Sequence, residues 1–288
     1  MDWITGIQNA IDYVENNLLA DLNIQDIAKT SLTSAFQFQR AFHILSGLTI
    51  GEYIRNRRLT LAAGDLQHGD ERILDIALKY GYETPESFSR AFERFHGVLP
   101  SKVRKPGSKL RSFSRLTIKV TLEGGSIMDY RIEKMNAFKV LGKVEKEVIG
   151  NVTANLFWKQ CGEDGTLKAL TQYSTSPEKE YIGIADGSSY DGESYLYYIV
   201  TPYEGDEILD GHIVKELPER LWVKFRCLSL GAENTADSDI WTKIYSEFFP
   251  TSDYEPAEFQ MEVYPCGDGD YPDDISEVWI AVNVKPKK

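Results

Sequence analysis

The stretch ILDIALKYGYETPESFSRAFERFHGVLP, residues 73–100, decides the fold of the first third of the chain. Ile73, Ile76 and Ala77 recur at helical spacing behind Asp70, and Gly81 supplies the positive φ that ends such a helix. Thr84 then caps a second helix with Pro85 at its first position, where a missing N–H is harmless. Fifty positions upstream the pattern has already been written once: TPESFSRAF at 84–92 answers SAFQFQRAF at 34–42. Each copy has a short helix carrying Asp-Ile-Ala (26–28 and 75–77), a brief turn and a capped second helix. In the second helices Phe38/Phe42 and Phe88/Phe92 stand at i, i+4, with Arg40 and Arg90 on another face. A small Ala at the crossing lets two helices approach closely, so the repeat predicts two helix-turn-helix units.

The rest of residues 1–110 reads the same way. Ile4, Ile7, Ile11, Val14 and Leu18 lie on one helical face; Asn23, the Ser34/Gln37 pair and the Thr49/Glu52 pair are start signals, and Gly47 and Gly97 are stops. This part is expected to be all-α. Residues 111–127, largely within the basic, Ser/Gly-rich run KPGSKLRSFSRLTIKVTLEGGS at 105–126, read as a linker. From 128 to 288 the text alternates: YRIEKM, AFKVLGKVEKEV, YIGIAD, YLYYIV, HIVKEL, LWVKFRCLSL, FQMEVYP and VWIAVNV read as strands. NVTANLFWKQCGEDGTLKAL and DIWTKIYSEFF read as helical. Strand-strand-helix-strand-strand occurs twice, which predicts an α+β domain built from two pseudo-symmetric units.

Charge divides at the same place. Residues 1–111 carry 14 Lys/Arg against 13 Asp/Glu, whereas the remainder carries 18 against 31, so the net charge of −12 belongs to the second part. Phosphate repulsion therefore argues against nucleic-acid binding only there. No run approaches the length of a membrane span and no basic-then-apolar leader opens the chain, so a cytoplasmic, nucleoid-associated bacterial protein is expected. Cys161, Cys227 and Cys266 are odd in number, far apart and without histidines at ligand spacing. Reduced thiols, no metal and no cofactor follow.

Near the N-terminus of the first candidate recognition helix, the positions off the Phe stripe are Ala35, Phe36, Gln39 and Arg40; on the second they are Pro85, Glu86, Ser87, Ser89 and Arg90. Arginine pairs bidentately with guanine and glutamine with adenine in the major groove, and two such helices on one chain can enter successive grooves. The segments RAFHILSGLTIGEYIRNRRLTLAAGDL and ILDIALKYGYETPESFSRAFERFHGVLPSKVRK resemble the AraC/XylS family DNA-binding domain, notably at Ile76, Ala77, Gly81, Tyr82, Phe88, Ser89, Arg90, Phe92, Phe95, Gly97, Pro100 and Arg104. The resemblance implies bipartite recognition of double-stranded DNA, with Phe36, Gln39, Arg40, Thr84, Ser87 and Arg90 facing bases or phosphates. Glu86 departs from the expected chemistry and puts an anion at the DNA-facing tip. Arg55, Arg57, Arg58, Arg72, Lys102, Arg104, Lys105 and Lys109 are candidates for phosphate contacts.

The second part is rich in aromatics. Within FQMEVYP the alternation puts Glu262 and Tyr264 on one face of a strand. A carboxylate among aromatic rings attracts organic cations. The run WTKIYSEFFPTSDYEPAEFQMEVYP followed by EVWIAVNV resembles the GyrI-like effector-binding domain, which implies ligand contact at Glu262 and at Trp222 on a neighbouring strand. Tyr198, Tyr245 and Trp279 are further aromatic candidates, with Trp241 beside them. The expected fold is thus an all-α double helix-turn-helix domain followed by an α+β GyrI-like domain. The expected function is a sequence-specific transcription regulator, an activator by family resemblance, that senses a small cationic or aromatic effector. It would contact RNA polymerase, act as a monomer or weak dimer, and not be an enzyme. The alternative is a GyrI-like domain acting as a small-molecule hydrolase or protein-interaction module, with Glu262 and Tyr264 as base and acid.

Overall fold

The computed structural model describes residues 3–105, 107–118, 128–151, 153–205, 207–227, 236–266 and 276–286. The chain divides into two compact units, Met1–Thr121 and Leu122–Lys288.

Among its described residues the first unit holds α1 (Trp3–Asn16), α2 (Ile24–Ser31), α3 (Ala35–Ser46), α4 (Ile50–His68), α5 (Ile73–Lys79) and α6 (Pro85–His96), followed by a 3₁₀ turn at Pro100–Lys102. The start signals are the caps they promised. Asn23 accepts from Gln25 N–H, Thr84 accepts from Ser87 N–H, and Ser34/Gln37 and Thr49/Glu52 are both reciprocal capping boxes. Asp70 is the exception: α5 begins at Ile73 after Arg72, without a side-chain cap, and Arg72 pairs with Asp75 instead. Gly47 and Gly97 close α3 and α6 at φ 69° and 77°. The first copy closes α2 with Leu32 at φ 58°, where the second copy uses Gly81. The Phe stripe is core: Phe88 and Phe92 pack with Leu59, Ala62, Ala63 and Leu66 of α4, and with Ile76, Ala77 and Tyr80 around α5. Ile7, Ala10, Ile11 and Val14 bury the inner face of α1.

Residues 111–118, expected within the linker, run instead as an extended strap bonded to three helices. Arg111 N–H donates to His96 Nδ1 (3.2 Å), Phe113 N–H to Thr60 Oγ1 (3.0 Å), Leu116 N–H to Tyr53 Oη (3.2 Å) and Ile118 N–H to Gln8 Oε1 (2.8 Å). Arg57, itself paired with half-buried Glu15, donates to Phe113 C=O (2.6 Å), and Arg115 pairs with Asp12 (2.7 Å). An extended chain has no ladder of its own, so its donors go to side chains of α1, α4 and α6. The remainder of the expected linker, 119–127, lies outside the described residues.

The second unit is an α+β domain. Its strands are β1 (Tyr130–Met135), β2 (Phe138–Val148), β3 (Glu180–Asp186), β4 (Ser194–Pro202), β5 (Ile213–Leu217), β6 (Arg220–Arg226), β7 (Tyr254–Pro265) and β8 (Glu277–Val284). α7 (Thr153–Glu163) and α8 (Thr166–Tyr173) divide β2 from β3, and α9 (Ala236–Lys243), which runs on through a π-helical turn Ile244–Phe248, precedes β7. All eight strands join one antiparallel sheet in the order β1-β6-β8-β7-β3-β4-β2-β5. Exchanging β1–β4 with β5–β8 reverses this order onto itself, so the expected pseudo-symmetry is present. The halves meet at β3–β7, and each lends its first strand to the other's edge. One face carries Ile182, Ile184, Tyr198, Val200, Trp222, Met261, Val263 and Trp279 in a single apolar cluster. Helical residues reach the other face: Trp158 of α7 touches Tyr264, Thr171 of α8 bonds Tyr181, and Trp241 of α9 bonds Glu262.

Candidate functional site

On the first unit the two capped helices present different tips. Arg90 and Thr84 are exposed, Ser87, Gln39 and Arg40 are half-buried, and Glu86 is exposed in the first turn of α6. Thr84 and Ser87 are mutually bound. Thr84 Oγ1 accepts from Ser87 N–H and donates to Ser87 Oγ (both 3.1 Å), and Ser87 Oγ donates to Thr84 C=O (2.8 Å). Both hydroxyl protons are used inside the cap, leaving lone pairs for an incoming donor. Phe36 requires correction. It is 2% exposed, and α3 buries Ala35, Phe36, Phe38, Ala41 and Phe42 together. A large apolar ring gains more from the core than from water, so the buried arc is wider than the i, i+4 stripe.

Several arginines expected on phosphates are internal clamps. Arg57 holds Glu15, Arg58 donates to Leu18 and Ala20 carbonyls, and Arg104 donates to those of Leu66 and Glu71. Arg55, Lys102, Lys105 and Lys109 remain exposed.

On the second unit, half-buried Glu262 lies in β7 with three donors on its carboxylate: Trp241 Nε1–H (3.0 Å), Tyr264 O–H (3.3 Å) and Tyr197 O–H (3.4 Å). Trp158 backs this group, donating Nε1–H to Tyr197 Oη (3.0 Å) with its ring edge-on to Tyr264, centroids 4.8 Å apart. The β3–β7 register puts Gly183 directly opposite Glu262. A Cβ on Gly183 would lie 2.2 Å from Tyr197 Oη and 3.2 Å from Trp158 Cζ2. The bare glycine is what lets the two rings converge. The result is a carboxylate enclosed by four aromatic side chains, a geometry suited to an organic cation with flat apolar groups.

Of the six ligand candidates named from sequence, Glu262 and Trp241 are at this centre, and Trp222, Tyr198, Tyr245 and Trp279 are not. Trp222, Tyr198 and Trp279 share the apolar cluster with Met261 and Val263, the neighbours of Glu262 that point the other way. They line the opposite face of the sheet and do not share a pocket with the carboxylate. Two of them already hold an internal cation: Lys224 Nζ stands 3.7 Å from the Trp279 ring centre, and Lys215 Nζ 4.7 Å from that of Tyr198. Burial favours neutral Lys215, but Asp186 Oδ2 (2.8 Å) and Tyr198 Oη (3.2 Å) outweigh it and leave its pKa raised. Trp222 is fully buried with its indole N–H unpaired. Tyr245 is on the Glu262 face but buried, and its hydroxyl is bonded by Gln260 (2.8 Å). Sequence reasoning missed Tyr197, Trp158 and Gly183. The available signal was the glycine inside the buried strand YIGIAD, which marks a close approach by another group.

Among the described residues no cluster of His, Cys, Asp or Glu could hold a metal ion, and no helix is long and apolar enough to cross a membrane. The three cysteines are free, and burial pushes the Cys161 thiol up to about 12.

Comparison with known proteins agrees with this two-part construction. Residues 27–106 match the helix-turn-helix domain family, and residues 131–282 match the family described as integron-associated effector binding protein. The regulatory protein SoxS of Salmonella typhimurium is 41% identical over 98 residues, which span 34% of this chain and 92% of SoxS. The HTH-type transcriptional activator AarP of Providencia stuartii is 38% identical over 98 residues, 34% of this chain and 73% of AarP. A solved AraC-type regulator domain from Chromobacterium violaceum, 26% identical, covers 36% of this chain and 96% of its own with a TM-score of 0.34. With SoxS covered nearly end to end and the effector-binding family matched over more than half of the residues, this chain belongs to the AraC-type transcription regulators and, through its second unit, to the integron-associated effector binding protein family.

Proposed function

We propose that this AraC-type regulator is an activator that reads a bipartite operator with α3 and α6 and responds to a small organic cation bearing aromatic or apolar groups. Gln39, Arg40, Thr84, Ser87 and Arg90 are the DNA contacts in this reading, and Glu262 is the anchor of the effector. The observation that carries the effector assignment is the carboxylate held among Tyr197, Trp241, Tyr264 and Trp158. The three donors on this half-buried carboxylate are all neutral, so a site that sets it in aromatic surface favours a guest that brings the opposite charge. The guest switches transcription only by preferring one of two arrangements of the chain. Action as a monomer or weak dimer, contact with RNA polymerase and a cytoplasmic location belong to the same proposal.

The test is titration of tryptophan fluorescence with a lipophilic cation, in wild type and in Glu262→Gln. The neutral amide keeps the size of the carboxylate, so loss of the charge-assisted contact is expected to weaken binding about 10- to 100-fold, from roughly 1.5–3 kcal/mol. Full affinity in Glu262→Gln would remove the anchor from the proposal. Chemical change of the cation during incubation would favour the hydrolase alternative.

A further inference from the structure

We propose that the first unit carries a second effector site, for a small amphipathic anion, in a cleft between α4, α6 and the strap. The cleft measures about 340 Å³, within the range of small-molecule sites. Three cations from three separate elements line it: Arg55 from α4, Arg94 from the last turn of α6, and Arg111 from the strap. None of these guanidinium groups makes an ion pair among the described residues, in contrast to Arg57, Arg58 and Arg104, which are consumed by the fold. The one carboxylate in the lining, Glu52, is committed to the cap of α4, where it accepts from Thr49 N–H and Oγ1–H, both at 2.9 Å. The lining is therefore net positive.

Its floor is apolar, with Leu59 buried and Phe95 half-buried. That combination separates the site from a contact to the DNA backbone. A phosphodiester satisfies arginine but is flanked by polar sugars that offer little apolar surface to cover Leu59 and Phe95, whereas an aryl or alkyl carboxylate brings both charge and apolar surface. Arginine also matches a carboxylate bidentately. An anion joining Arg55, Arg94 and Arg111 would tie α4, α6 and the strap together, and so set the spacing of the two recognition helices.

The probe is 1-naphthoate, titrated calorimetrically into the full chain, with 1-naphthalenemethanol, acetate and inorganic phosphate as controls. Naphthoate is expected to bind at least tenfold more tightly than any control. Arg55→Gln/Arg94→Gln is expected to lose at least tenfold of that affinity, with thermal unfolding unchanged because both side chains are exposed. Ala91→Phe, which fills the cleft, should abolish binding, and Glu262→Gln should leave it intact. Equal affinity in the double variant, equal affinity for phosphate, or loss in Glu262→Gln would each overturn the proposal. So would a double variant that only lowers the salt dependence of DNA binding while wild type ignores naphthoate, since the cleft would then be a phosphate contact.

Discussion

Replacing Gly183 by alanine puts a methyl group where the ring of Tyr197 ends. The added carbon would stand 2.2 Å from Tyr197 Oη, 3.0 Å from Cζ and 3.2 Å from Trp158 Cζ2, against an ordinary contact of roughly 3.5–4.0 Å. Something must move by more than about 1 Å, and close-packed interiors yield little. If Tyr197 swings away, its bonds to Trp158 (3.0 Å) and Glu262 (3.4 Å) go with it. Overpacking of this kind costs about 1–3 kcal/mol, and the lost bonds add about 1 kcal/mol. We expect urea unfolding of the second unit to lose about 2–4 kcal/mol, and cation affinity to fall with it. Tyr197→Phe removes the clashing oxygen, so the double variant should recover at least half of the alanine penalty in a double-mutant cycle. Strictly additive penalties would refute the account, because the methyl group would then not be acting through the Tyr197 hydroxyl.

Three further outcomes follow from other sites. His96 is buried, and burial lowers its pKa; its Nδ1 accepts from Arg111 N–H while Nε2 faces Leu59 C=O at 3.0 Å. The unfolded chain, titrating near 6.5, takes up the proton first, so this contribution is whole above about pH 6.5 and is lost as pH falls below it. His96→Gln should flatten the acid side of the stability profile of the first unit, and an unchanged profile would exclude His96 as its cause. Glu15 is lowered in pKa because its bonds to Arg57 and Tyr53 outweigh burial, and its side chain is only 8% exposed. Glu15→Gln should cost about 2 kcal/mol in denaturant unfolding and loosen the strap, read as faster amide exchange at Phe113 and Leu116. Arg90→Ala should cost about 1–3 kcal/mol of DNA affinity at one half-site only, and Arg40→Ala at the other, measured by footprinting on half-site variants.

The helical unit was legible because its signals are local. A cap and the amide it bonds lie three residues apart, as at Ser34/Gln37, Thr49/Glu52 and Thr84/Ser87. Asp70 failed as a cap because a competing local pair, Arg72–Asp75, sits closer to the start of α5. The strap was hidden for the opposite reason: Ile118 bonds Gln8 and Arg115 bonds Asp12, and composition carries no trace of partners so remote. The effector site lay between these cases. Alternation put Glu262 and Tyr264 on one face, but in YLYYIV it could not say which tyrosine of the Tyr197–Tyr198 pair joins them. That choice is fixed by the pairing of β3 with β4 and β7, and a shift of one residue exchanges the faces.

The exchange of edge strands in the second unit has a consequence for ancestry and engineering. A chain comprising β1–β4 alone would keep β3-β4-β2 but leave β1 with no partner, since β1 pairs β6 and β2 is bordered by β5. Such a chain closes the same eight-stranded sheet only by trading β1 with a second copy across a two-fold axis at β3. Two identical copies would carry the same residue on both sides of that axis. Joined in one polypeptide, the copies are free to differ, and here they do: glycine on β3 faces glutamate on β7. Fusion thus turns a symmetric seam into one with an empty side and a charged side.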